Sequence, residues 1–253
     1  MGLIYIKEDK VVTMTLNRPE ALNTFDPETC REFHEALVNF RDDEDAWVAI
    51  ITGTGEKAFC AGADLKKWVE AIHKEGFRAP PTIMRGMNIY KPLIAAVNGL
   101  AYGGGMEVAL ACDIRVAADH ATFGLREVRW SVMPGWGGTQ RLPRMVPWAM
   151  ASQILLTGEP INAQEAYRIG LINEVVPAAE LQSCAMKWAN KILQNGPLGV
   201  WAVKEAMMRG VSMSLDDGLR LEDLMTHQLA TTEDALEGNK AFVEKRKPNY
   251  KLR

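Results

Sequence analysis

Residues 91–113 read KPLIAAVNGLAYGGGMEVALACD, and the stretch from Leu93 to Cys112 is almost wholly apolar. A run of about 20 such residues has the length of a bilayer-spanning helix. Asn98, the glycines at 99 and 103–105, and Glu107 argue against that reading. Inside a helix, three successive glycines would each cost roughly 0.8–1 kcal/mol relative to alanine. Gly103 to Gly105 therefore mark a break, and the run reads as a buried strand, a glycine turn and a buried helix. The carboxylate of Glu107, placed just after that turn, needs a reason.

The chain has 253 residues, 47% of them hydrophobic and 24% charged, which suits one large core or two smaller ones and leaves no segment that reads as disordered. A net charge of −3 provides no long-range attraction to nucleic acid or anionic lipid, so neither is expected as a partner and any anionic ligand must be met locally. The opening MGLIYIKEDK passes straight into alternating, strand-like sequence without the basic and apolar regions of a signal peptide. Cys30, Cys60, Cys112 and Cys184 form no C-x-x-C pair, and His34, His73, His120 and His227 are equally scattered. Neither zinc spacing nor a redox motif is present. Reduced, packed cysteines in a cytoplasmic setting are expected. A nucleophilic role for Cys60 would need a His or Asn partner that the sequence does not assign.

LIYIKEDKVVTMTLN alternates with a two-residue period around Glu8-Asp9-Lys10, which predicts a β-hairpin. In DPETCREFHEALVNF, Asp26 can cap, Pro27 suits the first helical position, and Cys30, Phe33, Leu37 and Phe40 share a face, predicting an amphipathic helix. WVAIIT predicts a short apolar strand that ends at GTGEKAFCAGADL, and Asp64 can begin a helix reaching towards Lys74. HKEGFRAPPT reads as a loop, while DIRVAA and ATFG read as further strands. From Pro147 onward helical patterns dominate, in ASQILLTG, NAQEAYRIG, AELQSCAMKWANKILQ and PLGVWAVKEAMMRG, with only LINEVV extended. An α/β core followed by an α-helical portion results.

If the helix begins near Gly104, Glu107 falls in its first turn and its side chain leans back towards the helix mouth. Free N–H groups and the positive dipole end there favour an ionised carboxylate. Gly104, bare of a side chain, lets a ligand oxygen approach its N–H. A simple capping box would require Ser or Thr three residues before Glu107, and Gly104 stands there instead. In AFCAGADL the N–H groups of Ala61, Gly62 and Ala63 are candidate donors, with an ordinary strand-to-helix turn as the alternative. Glu127 lies among Leu125, Val128, Trp130, Val132, Met133 and Trp136, surroundings that raise a carboxyl pKa by desolvation. Two carboxyls in contrasting environments are the usual basis for separate acid and base roles. The alternative for Glu127 is a surface pair with Arg126 or Arg129.

Taken in order, NRPEALN (17–23), AFCAGADL (58–65), AAVNGLAYGGGMEVALACD (95–113), FGLREV (123–128), PGWGGTQRL (134–142) and AFVEKRKPNY (241–250) closely resemble the enoyl-CoA hydratase branch of the crotonase superfamily, over essentially the whole chain. The resemblance implies an α/β fold, a crotonase-like spiral of ββα units over residues 1–195, with a C-terminal α-helical trimerisation region over 196–253. A homotrimer or a homohexamer built as a dimer of trimers is implied with it. Carried over by position, the N–H groups of Ala63 and Gly104 form an oxyanion hole, and Glu107 and Glu127 match the catalytic glutamates. Ala21, Leu22, Ala61, Gly62, Asp64, Leu65 and Gly103 fall in segments that contact coenzyme A or the acyl group. Trp130, Ser131, Pro134, Gly135 and Trp136 belong to the acyl pocket, and Phe242 and Lys245 to C-terminal positions that approach coenzyme A, often that of a neighbouring subunit. The activity implied is syn addition of water to a trans-2-enoyl-CoA, without metal or separate cofactor, since coenzyme A is part of the substrate.

Some positions depart from the family pattern. Glu20 stands where a Lys often helps with coenzyme A phosphates, which shifts that task towards Lys245, Arg246 and Lys247; a solvated helix face is the plainer reading of that tail. Ser131 and Trp136 replace residues that are usually small, and Trp130 and Met133 add bulk, so an acyl pocket narrower than, or shaped differently from, one for straight-chain substrates is expected, with simple core packing as the alternative. Competing functional readings are an enoyl-CoA Δ-isomerase, a specialised carnitinyl-type or cyclic acyl-CoA dehydratase, and a non-catalytic acyl-CoA-binding or RNA-binding homologue.

Overall fold

The computed structural model describes residues 1–253. Strands β1 (Leu3–Glu8) and β2 (Val11–Leu16) form the expected hairpin, with Asp9 in a left-handed conformation at the turn. Helix α1 (Pro27–Asp42) follows, its first turn capped by the Asp26 carboxylate, which accepts from the Thr29 N–H at 2.8 Å. Three successive units then repeat one order of elements. The first is β3 (Val48–Gly53), β4 (Ala58–Cys60) and α2 (Leu65–Glu75); the second is β5 (Leu93–Val97), β6 (Leu100–Tyr102) and α3 (Gly104–Ala111). The third is β7 (Ile114–Ala118), β8 (Thr122–Gly124) and, after a 3-10 turn at Glu127–Trp130, α4 (Gly138–Met145).

In each unit the first strand joins one sheet and the second joins another. The larger sheet runs β1-β2-β3-β5-β7-β10 and is parallel apart from the hairpin, where β10 is Glu174–Val176. The smaller runs β4-β6-β8-β9, parallel apart from the contact with β9 (Ile161–Asn162). This is the spiral of ββα units that the resemblance implies. The second strand of each unit is three residues long, too short for a periodic signal, and of the three only ATFG reads as a separate strand in the sequence.

Strands β3 and β5 are buried at every position because both faces of the larger sheet are covered. Alternate side chains serve different cores. Ala49, Ile51, Leu93, Ala95 and Val97 enter the main core between the sheets and helices. Val48, Ile50, Ile94 and Ala96 face α7 (Leu181–Leu193) through Leu181, Cys184, Ala185 and Ala189. Helices α5 (Trp148–Thr157) and α6 (Ala163–Arg168) complete the core side, and α8 (Pro197–Gly210), α9 (Leu215–Ala230) and α10 (Glu233–Glu244) follow α7. Lys204 ties α8 to the body, donating to the Lys91 carbonyl at 2.8 Å and pairing with Asp113 at 2.6 Å.

The glycine run now has its reason. Gly103 adopts φ +51°, turning the chain between β6 and α3. A Cβ on Gly105 would lie 2.0 Å from the Cys60 carbonyl oxygen, so α3 packs directly on the backbone of β4. Asn98, the other polar residue of the run, donates to the Gly55 and Ala58 carbonyls and accepts from the Gly53 N–H, satisfying the turn between β3 and β4 from inside. Gly105→Ala should therefore push α3 off β4 and cost about 1–3 kcal/mol, read as a lower urea midpoint at unchanged slope.

Candidate active site

The carboxyl ends of β4, β6 and β8 lie side by side in the smaller sheet, so the segments that leave them converge. Ala61–Ala63 follow β4, Gly103–Gly104 follow β6, and Glu127 follows β8. Gly62 has φ +104°, and a Cβ built on it would stand 3.3 Å from the Gly104 nitrogen. The bridge between Phe25 and Ala63 uses the Gly62 carbonyl and the Asp64 N–H, which leaves the Ala63 N–H outside the ladder. Gly104 is the first residue of α3, where an N–H has no acceptor within its own helix. Ala63, Gly104, Glu107 and Glu127 line one cavity of about 520 Å³.

Glu107 is 2% exposed. Its Oε1 accepts two backbone bonds, from the Trp136 N–H at 2.7 Å and the Gly138 N–H at 2.8 Å. These donors belong to the entry of α4, not to the mouth of α3 as expected from the sequence. The reason is tertiary: α3 and α4 come from consecutive turns of the spiral, and the start of α4 faces the first turn of α3. The expected tilt towards ionisation is also corrected. Burial pushes the Glu107 carboxyl above its ordinary pKa; the Gly138 and Trp136 bonds, then the charges of Arg141 and Arg85, pull it back only in part.

Glu127 is placed differently. Burial raises its pKa too and the neighbouring Glu107 adds to the rise, opposed only by its own backbone N–H. Its Oε2 is buried without a hydrogen-bond partner, and its Oε1 lies where a Cβ on Gly103 would be 3.2 Å away. Neither adjacent arginine pairs with it: Arg129 bridges to Glu159, and Arg126 lies 5.3 Å over the Tyr102 ring. The surface-pair alternative is thereby excluded. Of the two carboxylates, Glu107 has donors built to hold negative charge and Glu127 has an orphaned oxygen suited to carrying a proton.

A family model described as "Enoyl-CoA hydratase/isomerase" matches residues 7–253. The chain belongs to that family. Among its relatives, an (E)-benzylidenesuccinyl-CoA hydratase of Thauera aromatica is 45% identical over 95% of each chain. A short-chain-enoyl-CoA hydratase of Clostridium acetobutylicum is 42% identical over 97% of this chain and 96% of its own. The crystal structure of an enoyl-CoA hydratase from Bacillus anthracis superimposes with a TM-score of 0.94 at 40% identity, over the whole of both chains.

In this enoyl-CoA hydratase/isomerase family member, the cavity also takes in Leu22, Ala61, Gly62, Leu65, Gly103, Trp130, Gly135 and Trp136 from the sequence reading. Ala21, Asp64, Ser131, Pro134, Phe242 and Lys245 do not line it. Asp64 caps α2, accepting from the Lys67 N–H, and pairs with Arg18 at 3.0 Å. Ser131, in a left-handed conformation, closes the 3-10 turn after Glu127. Pro134 is buried beneath Gly138, Ala21 sits in a 3-10 turn, and Phe242 and Lys245 are exposed on and just after α10. Arg246, expected beside Lys245 as a phosphate contact, is engaged by Glu237 and Glu244. Trp130 and Met133 are 73% and 67% exposed, so they flank the cavity rather than pack the core.

Leu100, Tyr102 and Arg126 line the cavity and were not among the expected site residues. Tyr102 immediately precedes the glycine turn, a position that the motif alone could have suggested. Arg141 was also missed. It donates to the Trp136 carbonyl at 3.1 Å and to the carbonyls of Met84 and Ile83, holding the loop whose N–H groups grip Glu107. Cys60 is fully buried and burial pushes its thiol up to about 12, which removes it as a nucleophile at neutral pH.

Because the Glu127 pKa is raised on folding, the folded chain binds more protons than the unfolded one above the ordinary carboxyl range, and stability falls as pH rises. The Glu127→Gln variant lacks that penalty. Its urea midpoint should exceed that of the parent at pH 8, with the gap narrowing as pH falls to 5.

Proposed function

We propose that this protein is an enoyl-CoA hydratase, adding water syn across the C2=C3 bond of a trans-2-enoyl-CoA to give a 3-hydroxyacyl-CoA. One observation carries the reading: a buried carboxylate, Glu107, and a half-buried one, Glu127, line the same cavity as Ala63 and Gly104, whose backbone N–H groups have no backbone acceptor. The names of the relatives from Thauera aromatica and Clostridium acetobutylicum support it.

The thioester oxygen sits between the Ala63 and Gly104 N–H groups. Polarising that carbonyl makes C3 electrophilic, and the enolate-like transition state gathers charge on the same oxygen. Each fixed donor in such a hole is worth roughly 2.7–4 kcal/mol to the transition state. Ionised Glu107, its Oε1 held by Trp136 and Gly138, takes a proton from water through Oε2 as the water oxygen bonds to C3. Protonated Glu127 delivers its proton to C2. The water O–H, the Glu127 O–H and the C2=C3 π bond are broken, the C3–O, C2–H and Glu107 O–H bonds are formed, and the carboxyls exchange protonation states before the next turnover. The chemistry is supplied by these residues, with coenzyme A entering as part of the substrate and no metal or separate cofactor required.

A Δ-isomerase reaction can run on a single carboxylate shuttling a proton; the second carboxylate and its orphaned oxygen favour hydration. The exposed apolar residues of α8, α9 and the turn between them, among them Val203, Met207, Val211, Leu215 and Leu219, support a homotrimer or a dimer of trimers joined through residues 196–253. Light scattering on the purified chain should give three or six copies.

A panel of trans-2-enoyl-CoA thioesters followed at the conjugated thioester absorbance should lose that absorbance and yield 3-hydroxyacyl products. A double bond that moves without water uptake would overturn hydration. Glu107→Gln and Glu127→Gln should each lower kcat by about 10²–10⁴-fold while leaving coenzyme A ester binding nearly intact by calorimetry. Near-normal turnover in either variant would remove that residue from the mechanism. Salt-sensitive RNA binding by an inactive protein would favour the non-catalytic alternative.

A further inference from the structure

Behind the reaction chamber lies a second space of nearly equal size, about 530 Å³, walled by Phe25, Phe33, Trp68 and Met84 and reached by Arg78 and Arg85. The two spaces share only Gly135 and Trp136 in their linings. The Trp136 indole fills the boundary. On its front side, a Cβ built on Gly104 would stand 2.5 Å from Cζ3 and 2.7 Å from Cε3 of that ring. On its rear side, the ring meets Phe25 edge-on at a centroid distance of 5.8 Å and Trp68 at 5.4 Å.

We propose that Trp136 is a specificity-determining wall, which confines the reaction chamber to short or compact enoyl groups by shutting it off from the aromatic chamber behind. The proposal rests on the hydratase reading. The wall is held from both ends of its own residue, since the Trp136 N–H donates to Glu107 and its carbonyl accepts from Arg141. Its position is thus tied to the site's backbone, and its ring is wedged between Gly104 and two aromatic side chains. The carbon skeleton of a long acyl chain, extended from a thioester at Ala63 and Gly104, meets the indole before it reaches Phe25 or Trp68. Both backbone bonds survive replacement of the side chain, so removing the indole joins the chambers without removing the donors to Glu107. Beyond the wall, each methylene added to the acyl chain gains about fourfold in binding from burial.

The test is kcat/KM of the full chain for crotonyl-CoA and for trans-2-decenoyl-CoA. The parent protein should prefer crotonyl-CoA by about 100-fold or more. Trp136→Ala should raise the decenoyl-to-crotonyl ratio at least about tenfold, a ratio in which general damage to the site cancels, while Trp136→Phe, which retains a ring, should move it much less. A parent protein that handles both substrates within about tenfold of each other overturns the wall without any variant being made. So does a Trp136→Ala or Trp136→Leu protein that turns over both with an unchanged ratio. Failure of the parent to hydrate any enoyl-CoA would instead sink the hydratase reading itself.

Discussion

Two backbone N–H groups, from Trp136 and Gly138, converge on a single oxygen of Glu107, and the geometry of the site depends on that contact. It fastens the first turn of α3 to the entry of α4, leaves the second carboxylate oxygen without a protein partner, and fixes the backbone that carries the indole over Gly104. Donor bonds to a buried carboxylate are charge-assisted and stronger than ordinary ones. They offset part of the desolvation that a 2% exposed glutamate suffers. Arg141 extends the arrangement by holding the Trp136 carbonyl, so the peptide units at that loop are restrained on both sides.

The spiral explains why such contacts arise. Each turn contributes a strand to the larger sheet, a short strand to the smaller, and then a helix. Adjacent turns place the ends of β4, β6 and β8 in a row, and the proposed catalytic groups come from those ends: Ala63 from the first, Gly104 and Glu107 from the second, Glu127 from the third. Close packing of α3 on β4, possible only without a side chain at Gly105, holds the row tight enough for the Ala63 and Gly104 segments to lie together. Rigid elements therefore position every group while the loops between them supply the donors.

The two glutamates show how function is set against stability. Glu107 has donors and nearby cationic charge, whereas Glu127 has an orphaned oxygen and an acidic neighbour. A chain selected for stability alone would place an amide or an apolar side chain at 127. Contrasting environments for two carboxyls in one cavity suit them to separate acid and base roles, and under the proposed mechanism the unsatisfied oxygen is the structural cost of that division.

By itself the sequence determined the hairpin, the capped helix after Asp26, the buried strands and the break at Gly103, because periodicity, caps and glycine runs are local properties read within one or two turns of chain. The same local signals placed Glu107 beside a donor-rich turn and Glu127 in apolar surroundings, and the ordered motifs marked Ala63 and Gly104. Only the tertiary structure decided which donors hold Glu107, since Trp136 lies 29 residues further along the chain and the contact exists only when successive spiral turns stack. It also joined the ATFG strand to the three-residue strands at 58–60 and 100–102 in one smaller sheet, and it placed Trp136 in the linings of two cavities at once. A pattern of side chains says which face is buried; the partner across that face is chosen when the chain closes on itself.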